Sequence, residues 1–136
     1  LDDGNITHER SKEYASYIME AVVTCRPYKI GGNVLNKGLI ENLPGDACVE
    51  VPCMVDNTGI NPCYVGKLPT QLAAMNMLNV NVQQLGIEAA RERRKEKLYQ
   101  AAMLDPHTAA ELSLDDIKAM CNEMLEAHGE YMKMYQ

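Results

Sequence analysis

Thiols and imidazoles are among the side chains of this sequence that could bind a metal ion, and they are the usual ligands of zinc. A zinc site would draw on three thiols of the middle region and on the histidines: Cys48, Cys53, Cys63, His8, His107 and His128. Positions an odd number apart on a strand point to opposite faces, and Cys48 and Cys53 are five apart. No CxxC pair is present, and the histidines are scattered. The spacing therefore favours packed, free thiols, and we predict no metal ligands here.

Carboxamides beside glycines form a second candidate site. Asn33 and Asn36 lie in the stretch "GGNVLN", where Gly31 and Gly32 let a ligand or another backbone approach closely. An Asn side chain offers both a donor and an acceptor to a sugar hydroxyl. The alternative is a β-bulge in which the Asn adopts a turn-like conformation.

A third set of amides follows at helical spacing. Asn76, Asn79 and Gln83 share one helix face between Met and Leu neighbours. Buried amides must find hydrogen-bond partners. We favour pairing with polar backbone elsewhere in the protein, with a polyhydroxylated ligand or a polar interface as the alternatives.

The known catalytic motifs are absent from the sequence. It contains no nucleophile elbow, no GxGxxG, no HExxH and no P-loop. Taken by themselves, the residues present do not assemble a catalytic centre.

Composition excludes several classes of protein. The 136 residues fit one domain, and a net charge of −6 argues against a nucleic-acid partner. No apolar window of about 18 residues exists, so no membrane span is expected. Five cysteines without regular spacing favour reduced thiols and a cytoplasmic location. Because the sequence opens on Leu1 rather than Met, we interpret it as a piece cut from a longer polypeptide.

The periodicity predicts an α+β (α/β) fold in which a small irregular mixed sheet packs with several helices. Ser11 is the predicted N-cap of a first helix, which Pro27 ends. Its predicted buried face comprises Tyr14, Tyr17, Ile18, Ala21, Val22 and Cys25. The stretches "YKIGGNVLN" and "ACVEVPCMV" are predicted strands, with "DNTGINP" as a turn. Pro52 should occupy an edge or a bulge, because it cannot donate to the ladder.

Helices are predicted from about residue 68 onward. Gly86 is the expected weak point of the first long stretch. Asp105 should cap a short helix that begins at Pro106, and Ser113 with Asp116 resembles a capping box. The last helix should end near residue 129 and bury one face: Leu114, Ile117, Met120, Cys121, Met124 and Leu125.

Six stretches, together about nine-tenths of the chain, resemble the C-terminal part of glycoside hydrolase family 4. They are "EYASYI" (13–18), "GNVLNKGLIENLP" (32–44), "ACVEVPCMVD" (47–56), "GINPCYVGKLPTQLAAMN" (59–76), "NVNVQQL" (79–85) and "DPHTAAELSLDDI" (105–117). They run in the family's order. Within the family the chain is most similar to the α-galactosidase (melibiase-type) branch; the α-galacturonidase branch shares most of these words, and the α-glucosidase branch fewer.

The resemblance implies an unusual glycosidase chemistry. Members of this family use NAD⁺ and a divalent metal, typically Mn²⁺, and are exceptions to the two-carboxylate scheme. The sugar is oxidised at C3, the aglycone is eliminated after loss of the C2 proton, and water addition and reduction complete the cycle. The implied substrate is an α-galactoside-like sugar. Asn33 and Asn36 are then the residues we expect to contact it.

The family's dinucleotide motif, metal-binding Cys and His, acid and Tyr base all lie N-terminal to the matched region. None of the Cys or His of this chain inherits the metal role. The resemblance thus implies that residues 1–136 form a single C-terminal substrate and oligomerisation domain, half of a lactate/malate dehydrogenase-like fold, without the N-terminal Rossmann domain. The implied partners are that NAD-binding domain of the same protein and further copies in a homodimer or homotetramer. Alone, the chain should be inactive; a non-catalytic interaction module with this fold is the alternative.

Overall fold

The computed structural model describes residues 10–135, which divide into two compact units. The first unit comprises residues 10–35 and 48–65, and the second comprises residues 36–47 and 66–135. His8 and the N-terminal residue lie outside the described residues. The α+β class expected from the sequence is confirmed, because a small sheet and several helices are both present.

The first unit is a helix on a small antiparallel sheet. Helix α1 (Ala15–Thr24) precedes strands β1 (Tyr28–Leu35), β2 (Cys48–Asp56) and β3 (Gly59–Pro62). Within residues 10–135 these strands form one sheet in the order β1-β2-β3, and both pairings are antiparallel. The sheet is therefore antiparallel rather than mixed; a parallel pairing occurs as an isolated bridge between Ile40 and Gly66 of the second unit.

Alternation along the strands separates a core face from an open face. The side chains of Val49, Val51, Cys53 and Val55 are buried while the residues between them are exposed or half-buried. Helix α1 packs against β2 and buries Ala21. Gly32 of β1 lies on this core face, where an added Cβ would stand 2.6 Å from the Sγ of Cys53. A side chain at position 32 therefore has no room, which explains the glycine.

Two features of the sheet differ from the sequence predictions. "GINP" was assigned to a turn, but it forms β3, because the hairpin turns at Asn57 and Thr58 and its second strand starts at Gly59. Strand β2 is central, so Pro52 is not on an edge strand. The carbonyl of Pro52 accepts from the Cys63 N–H at 2.8 Å, beyond the end of β3. Its nitrogen faces the same side, so the missing donor costs no β1–β2 ladder bond.

Helix α1 contacts the sheet through stacked aromatic rings rather than through a broad apolar face. The ring of Tyr17 stacks on that of Tyr28 with centroids 4.8 Å apart. The guanidinium of Arg10 lies 3.6 Å from the Tyr17 centroid and also pairs with Glu20 at 2.6 Å. Tyr14, not Ser11, is the N-cap residue. Of the predicted buried face only Ala21 is buried among the described residues, while the others are half-buried or exposed, which corrects that prediction.

The second unit is helical. It contains α2 (Thr70–Glu92), α3 (Lys95–Leu104), α4 (Pro106–Glu111), α5 (Leu114–His128) and a 3₁₀ helix (Gly129–Met132). Helix α2 runs unbroken through Gly86, so the predicted weak point was wrong. The break lies at Arg93, whose left-handed conformation (φ 56°) ends the helix as a C-cap. Across it, Lys97 donates to Glu88 at 2.5 Å, which raises the pKa of Lys97.

Two predicted caps are confirmed. Asp105 precedes α4, which begins with Pro106, and its side chain accepts from the Thr108 N–H at 2.8 Å. That hydrogen bond lowers the pKa of Asp105, so its contribution to stability is full above the unfolded-state pKa and is lost as the pH falls. Ser113 caps α5 by accepting from the Asp116 N–H at 3.2 Å. Helix α5 ends at His128 with Gly129 as C-cap, as predicted.

Helix α5 leaves most of its predicted core face open. Within the described residues, Ile117 is the one buried residue of α5. Leu114 is 63% exposed and Met124 is 54% exposed, so the prediction that they are buried was wrong. The period marks an apolar face correctly, but residues 10–135 do not cover it. Among residues 10–135, no helix is both long enough and apolar enough to cross a membrane.

Candidate functional site

Asn33 lies on the open face of the sheet. Residues opposite each other in an antiparallel pair share a face, and the register places Asn33 opposite Glu50 and Gly31 opposite Pro52. Asn33 and Glu50 are both exposed. Within the described part of the chain, the Asn33 carboxamide makes no hydrogen bond, so its donor and acceptor are both available to a ligand.

A shallow hollow of about 290 Å³ lies on this face, and Glu50, the cross-strand neighbour of Asn33, lines it. Its polar lining includes Lys29, Glu50 and Tyr14, and its floor includes Gly31. The carboxylate of Glu50 reaches over Gly31: its Oε1 would be 2.7 Å from a Cβ at that position. The glycine therefore leaves room for the carboxylate. Together the face presents an ammonium, a carboxylate and a carboxamide, which can donate to and accept from several hydroxyl groups.

Asn36 has an internal role, which corrects the expectation that it contacts a ligand. It is fully buried in the second unit. Its Nδ2 lies 2.8 Å from the Ile40 carbonyl, 2.9 Å from that of Leu43 and 3.0 Å from that of Pro44. Its Oδ1 accepts from the Ile40 N–H at 2.7 Å. The Asn36 amide thus bonds the backbone of the loop of residues 36–47 from the buried side, and it is not accessible to a sugar hydroxyl.

Asn42 ties the same loop to the segment before α2. Its Nδ2 donates to the Leu68 carbonyl at 2.9 Å, and its Oδ1 accepts from the Leu68 N–H at 3.0 Å. Backbone hydrogen bonds connect the same two segments: Glu41 N donates to Gly66 O at 3.1 Å, and Gly66 N donates to Leu39 O at 3.0 Å. Sequence reasoning did not single out Asn42. Its pairing spans 26 positions, and no local signal predicts it.

The amide stripe of α2 is exposed rather than paired with other elements. Asn76 donates to the Leu72 carbonyl at 2.8 Å, and Asn79 donates to the Met75 carbonyl at 3.3 Å, both within the helix. Gln83 is exposed as well. Internal pairing across the fold, which the sequence favoured, is thus absent among the described residues. A ligand contact or a polar interface stays the prediction for this stripe.

Lys29, Glu50 and Tyr14 are the site residues that sequence reasoning missed. Their types carry no motif, and only the strand register brings Lys29 and Glu50 to the face that Asn33 occupies. The period-two alternation of "ACVEVPCMV" could have predicted that Glu50 faces outward. Glu50 lies between Val49 and Val51, whose side chains point to the buried face, so its own side chain points to the open face.

The thiols do not form a metal site. All five cysteines lie within the described residues and are free; Cys48 is exposed and Cys53 is buried, on opposite faces of β2 as the spacing predicts. Among residues 10–135, no three His, Cys, Asp or Glu side chains come together as metal ligands. Burial raises the pKa of the Cys121 thiol. Residues 10–135 therefore offer no ligand set for Mn²⁺. The sequence has no glycine-rich dinucleotide loop that would bind NAD⁺.

The fold and the open sheet face define a class: an α+β domain whose small antiparallel sheet presents polar side chains on one face. Over residues 1–108 the chain matches the family 4 glycosyl hydrolase C-terminal domain. The chain therefore belongs to the family 4 glycosyl hydrolases, which confirms the resemblance found in the sequence.

The curated relatives that the chain resembles carry different substrates in their names. An α-galactosidase of Bacillus subtilis (strain 168) is 56% identical over 136 residues, all of this chain and 32% of the relative. An α-galactosidase of Rhizobium meliloti (strain 1021) is 38% identical over 129 residues, covering 95% of the chain and 26% of the relative. A maltose-6′-phosphate glucosidase of Fusobacterium mortiferum is 33% identical over 122 residues, covering 88% and 27%. The chain spans about a third of the length of the first relative.

Solved structures share the fold. A 6-phospho-α-glucosidase from gut microorganisms, in complex with NAD and glucose-6-phosphate, superposes with a TM-score of 0.75 at 28% identity, over 88% of this chain and 26% of that one. The 6-phospho-β-glucosidase of Thermotoga maritima, with manganese, NAD⁺ and glucose-6-phosphate, has a TM-score of 0.71 at 28% identity, over 86% and 29%.

Proposed function

We propose that this chain is the C-terminal domain of an NAD- and Mn-dependent glycoside hydrolase that acts on α-galactosides. The observation that carries the proposal is the 56% identity to an α-galactosidase over all 136 residues. The identity to a maltose-6′-phosphate glucosidase is lower, 33% over 122 residues. An α-galacturonidase or α-glucosidase of the same family, and a non-catalytic interaction module, are the alternatives.

The domain's part in the reaction is to bind and to position, not to transfer hydride. The described residues fit neither NAD⁺ nor Mn²⁺, so the oxidation and elimination chemistry belongs to an N-terminal NAD-binding domain of the same polypeptide. The free thiols agree with a reducing cytoplasm. A homodimer or homotetramer completes the proposed assembly.

The open sheet face is the proposed sugar contact. Asn33 is exposed and without a hydrogen-bond partner among residues 10–135, and it lies opposite Glu50, which lines the hollow together with Lys29. A pyranose presents adjacent hydroxyl groups, each of which can donate and accept. The ammonium of Lys29 donates, the carboxylate of Glu50 accepts, and Asn33 does both.

Replacing Asn33 by alanine in the intact polypeptide should lower kcat/KM for an α-galactoside about tenfold, the effect of losing one hydrogen bond to a neutral ligand. The melting temperature should not change, because the side chain is exposed and unpaired among the described residues. Steady-state kinetics with a thermal melt makes the measurement, and Asn57→Ala, an exposed asparagine in the β2–β3 turn, is the matched control. Wild-type kinetics for Asn33→Ala would reject the contact.

A substrate panel tests the function itself. The intact polypeptide, supplied with NAD⁺, Mn²⁺ and a thiol reductant, should hydrolyse a 4-nitrophenyl α-galactoside faster than the matching α-galacturonide or 6-phospho-α-glucoside. Faster hydrolysis of the α-galacturonide or of the 6-phospho-α-glucoside would indicate that the protein belongs to another branch of the family. No hydrolysis of any of them would favour the interaction module.

A further inference from the structure

The two adjacent glycines of β1 have different surroundings. Gly32 faces the core, where the thiol of Cys53 leaves no room for a side chain. Gly31 faces the open side, and the three atoms nearest to a Cβ built there all belong to Glu50: Oε1 at 2.7 Å, Cδ at 3.5 Å and Cγ at 3.7 Å. Gly31 has no positive φ, so its backbone conformation does not require a glycine. The neighbouring carboxylate does.

The Glu50 side chain crosses β1 on a diagonal. The residue directly opposite Glu50 is Asn33, and Gly31 lies two positions away from Asn33 on the same face. The carboxylate extends toward Gly31, and both residues line the hollow of about 290 Å³. The missing side chain at position 31 therefore lets the carboxylate lie low on the face, at the floor of the hollow.

No ion pair within the described part of the chain accounts for this position of the carboxylate. Lys29 lines the same hollow, and both side chains are exposed. Among residues 10–135, neither Lys29 nor Glu50 forms an ion pair or a side-chain hydrogen bond. The ammonium and the carboxylate are thus both available to a ligand that offers acceptors and donors.

We propose that Gly31 is a positioning residue of the sugar site. Having no side chain, it places the Glu50 carboxylate at the floor of the hollow, where the carboxylate accepts a hydrogen bond from a hydroxyl group of the sugar. This inference rests on the proposed function and deepens it. An alanine at position 31 would displace only the end of a flexible, exposed side chain, so it would move the carboxylate and leave the sheet intact.

A double-mutant cycle in the intact polypeptide tests the proposal. Gly31→Ala should raise KM for a 4-nitrophenyl α-galactoside about tenfold, the effect of one lost hydrogen bond, while kcat changes little. The Kd of D-galactose, measured by calorimetry with NAD⁺ and Mn²⁺ present, should rise by the same factor. The melting temperature should not fall, because alanine suits a strand better than glycine. Gly45→Ala, at an exposed glycine whose added Cβ meets nothing within 4 Å, is the matched control.

The second half of the cycle makes the same change in Glu50→Ala. There Gly31→Ala should have no further effect on KM or Kd, because the carboxylate that it displaces is gone. Equal losses in both backgrounds would refute the positioning role and mean that the glycine makes room for the sugar itself.

Glu50→Asp is a second variant, which keeps the charge but shortens the side chain by one methylene group. It should raise the Kd of D-galactose about as much as Gly31→Ala does, because the carboxylate no longer reaches the same place. This variant decides the matter if Gly31→Ala fails to fold: a wild-type Kd in Glu50→Asp would contradict the proposal.

The two measurements separate this inference from the proposed function. Hydrolysis of the α-galactoside with wild-type KM and Kd in Gly31→Ala would overturn the inference and leave the function standing. Galactose binding that depends on Gly31, in a polypeptide that hydrolyses no α-galactoside, would keep the positioning role and remove the function. A wild type that does not bind galactose would also overturn the inference.

Discussion

Asn36→Ala is expected to lower the free energy of unfolding by at least about 2 kcal/mol, since it leaves two buried polar groups without a partner and each costs about 1–3 kcal/mol. The fully buried Asn36 serves the carbonyls of Ile40, Leu43 and Pro44 and the N–H of Ile40. Alanine satisfies none of them. The carbonyls of Ile40 and Pro44 keep hydrogen bonds from the N–H groups of Leu43 at 3.4 Å and Ala47 at 3.2 Å, whereas the Leu43 carbonyl and the Ile40 N–H lose the bond to Asn36. Denaturant unfolding of the intact polypeptide measures the change.

Two further variants sharpen this prediction. Asn36→Asp keeps the oxygen that accepts from Ile40 N but cannot donate to the carbonyls, so it should also be strongly destabilised. Asn76→Ala is the matched control, because Asn76 is exposed and bonds only within its helix; its effect should stay within about 0.5 kcal/mol. If Asn36→Ala were no more costly than Asn76→Ala, the loop would not depend on the buried amide.

Ile117→Ala should cost about 2–5 kcal/mol, the range for truncating a fully buried isoleucine. Ile117 is 0% exposed and is the buried residue of α5 among the described residues, so the helix has few other side chains with which to hold its place. The deletion removes apolar burial and leaves a cavity. Denaturant unfolding again provides the measurement.

The chain offers a matched control for this substitution. Ile87 of α2 is also in a helix but is 58% exposed, so Ile87→Ala should change stability by no more than about 0.5 kcal/mol. Ile117→Val, which removes one methyl group, should cost about 0.5–1.5 kcal/mol. Equal effects of Ile117→Ala and Ile87→Ala would mean that α5 is not anchored at Ile117.

Local signals predicted the caps and the end of the later helices. The caps at Asp105 and Ser113 and the end of α5 at Gly129 each depend on neighbouring residues, so the sequence alone was enough. Position 86 was misjudged because glycine only weakens a helix, whereas Arg93, with no signal in its residue type, adopts the left-handed conformation that ends α2.

Longer-range features were out of reach for physical reasons. The two asparagines of "GGNVLN" are alike in type and neighbourhood, yet Asn33 faces outward on β1 while Asn36, past the end of the strand, is buried. Only the path of the loop distinguishes them. The apolar faces of α1 and α5 were correctly recognised as apolar, but burial requires a covering surface, and residues 10–135 supply little of it.

The most direct test of the account is the cofactor requirement of α-galactoside hydrolysis, compared between the intact polypeptide and the chain of residues 1–136. We expect the intact polypeptide to be active only with NAD⁺ and Mn²⁺, and the isolated chain to have no activity and no affinity for either, because its described residues present no ligand cluster. Hydrolysis by the isolated chain, or tight binding of Mn²⁺ to it, would contradict the division of labour proposed for this domain.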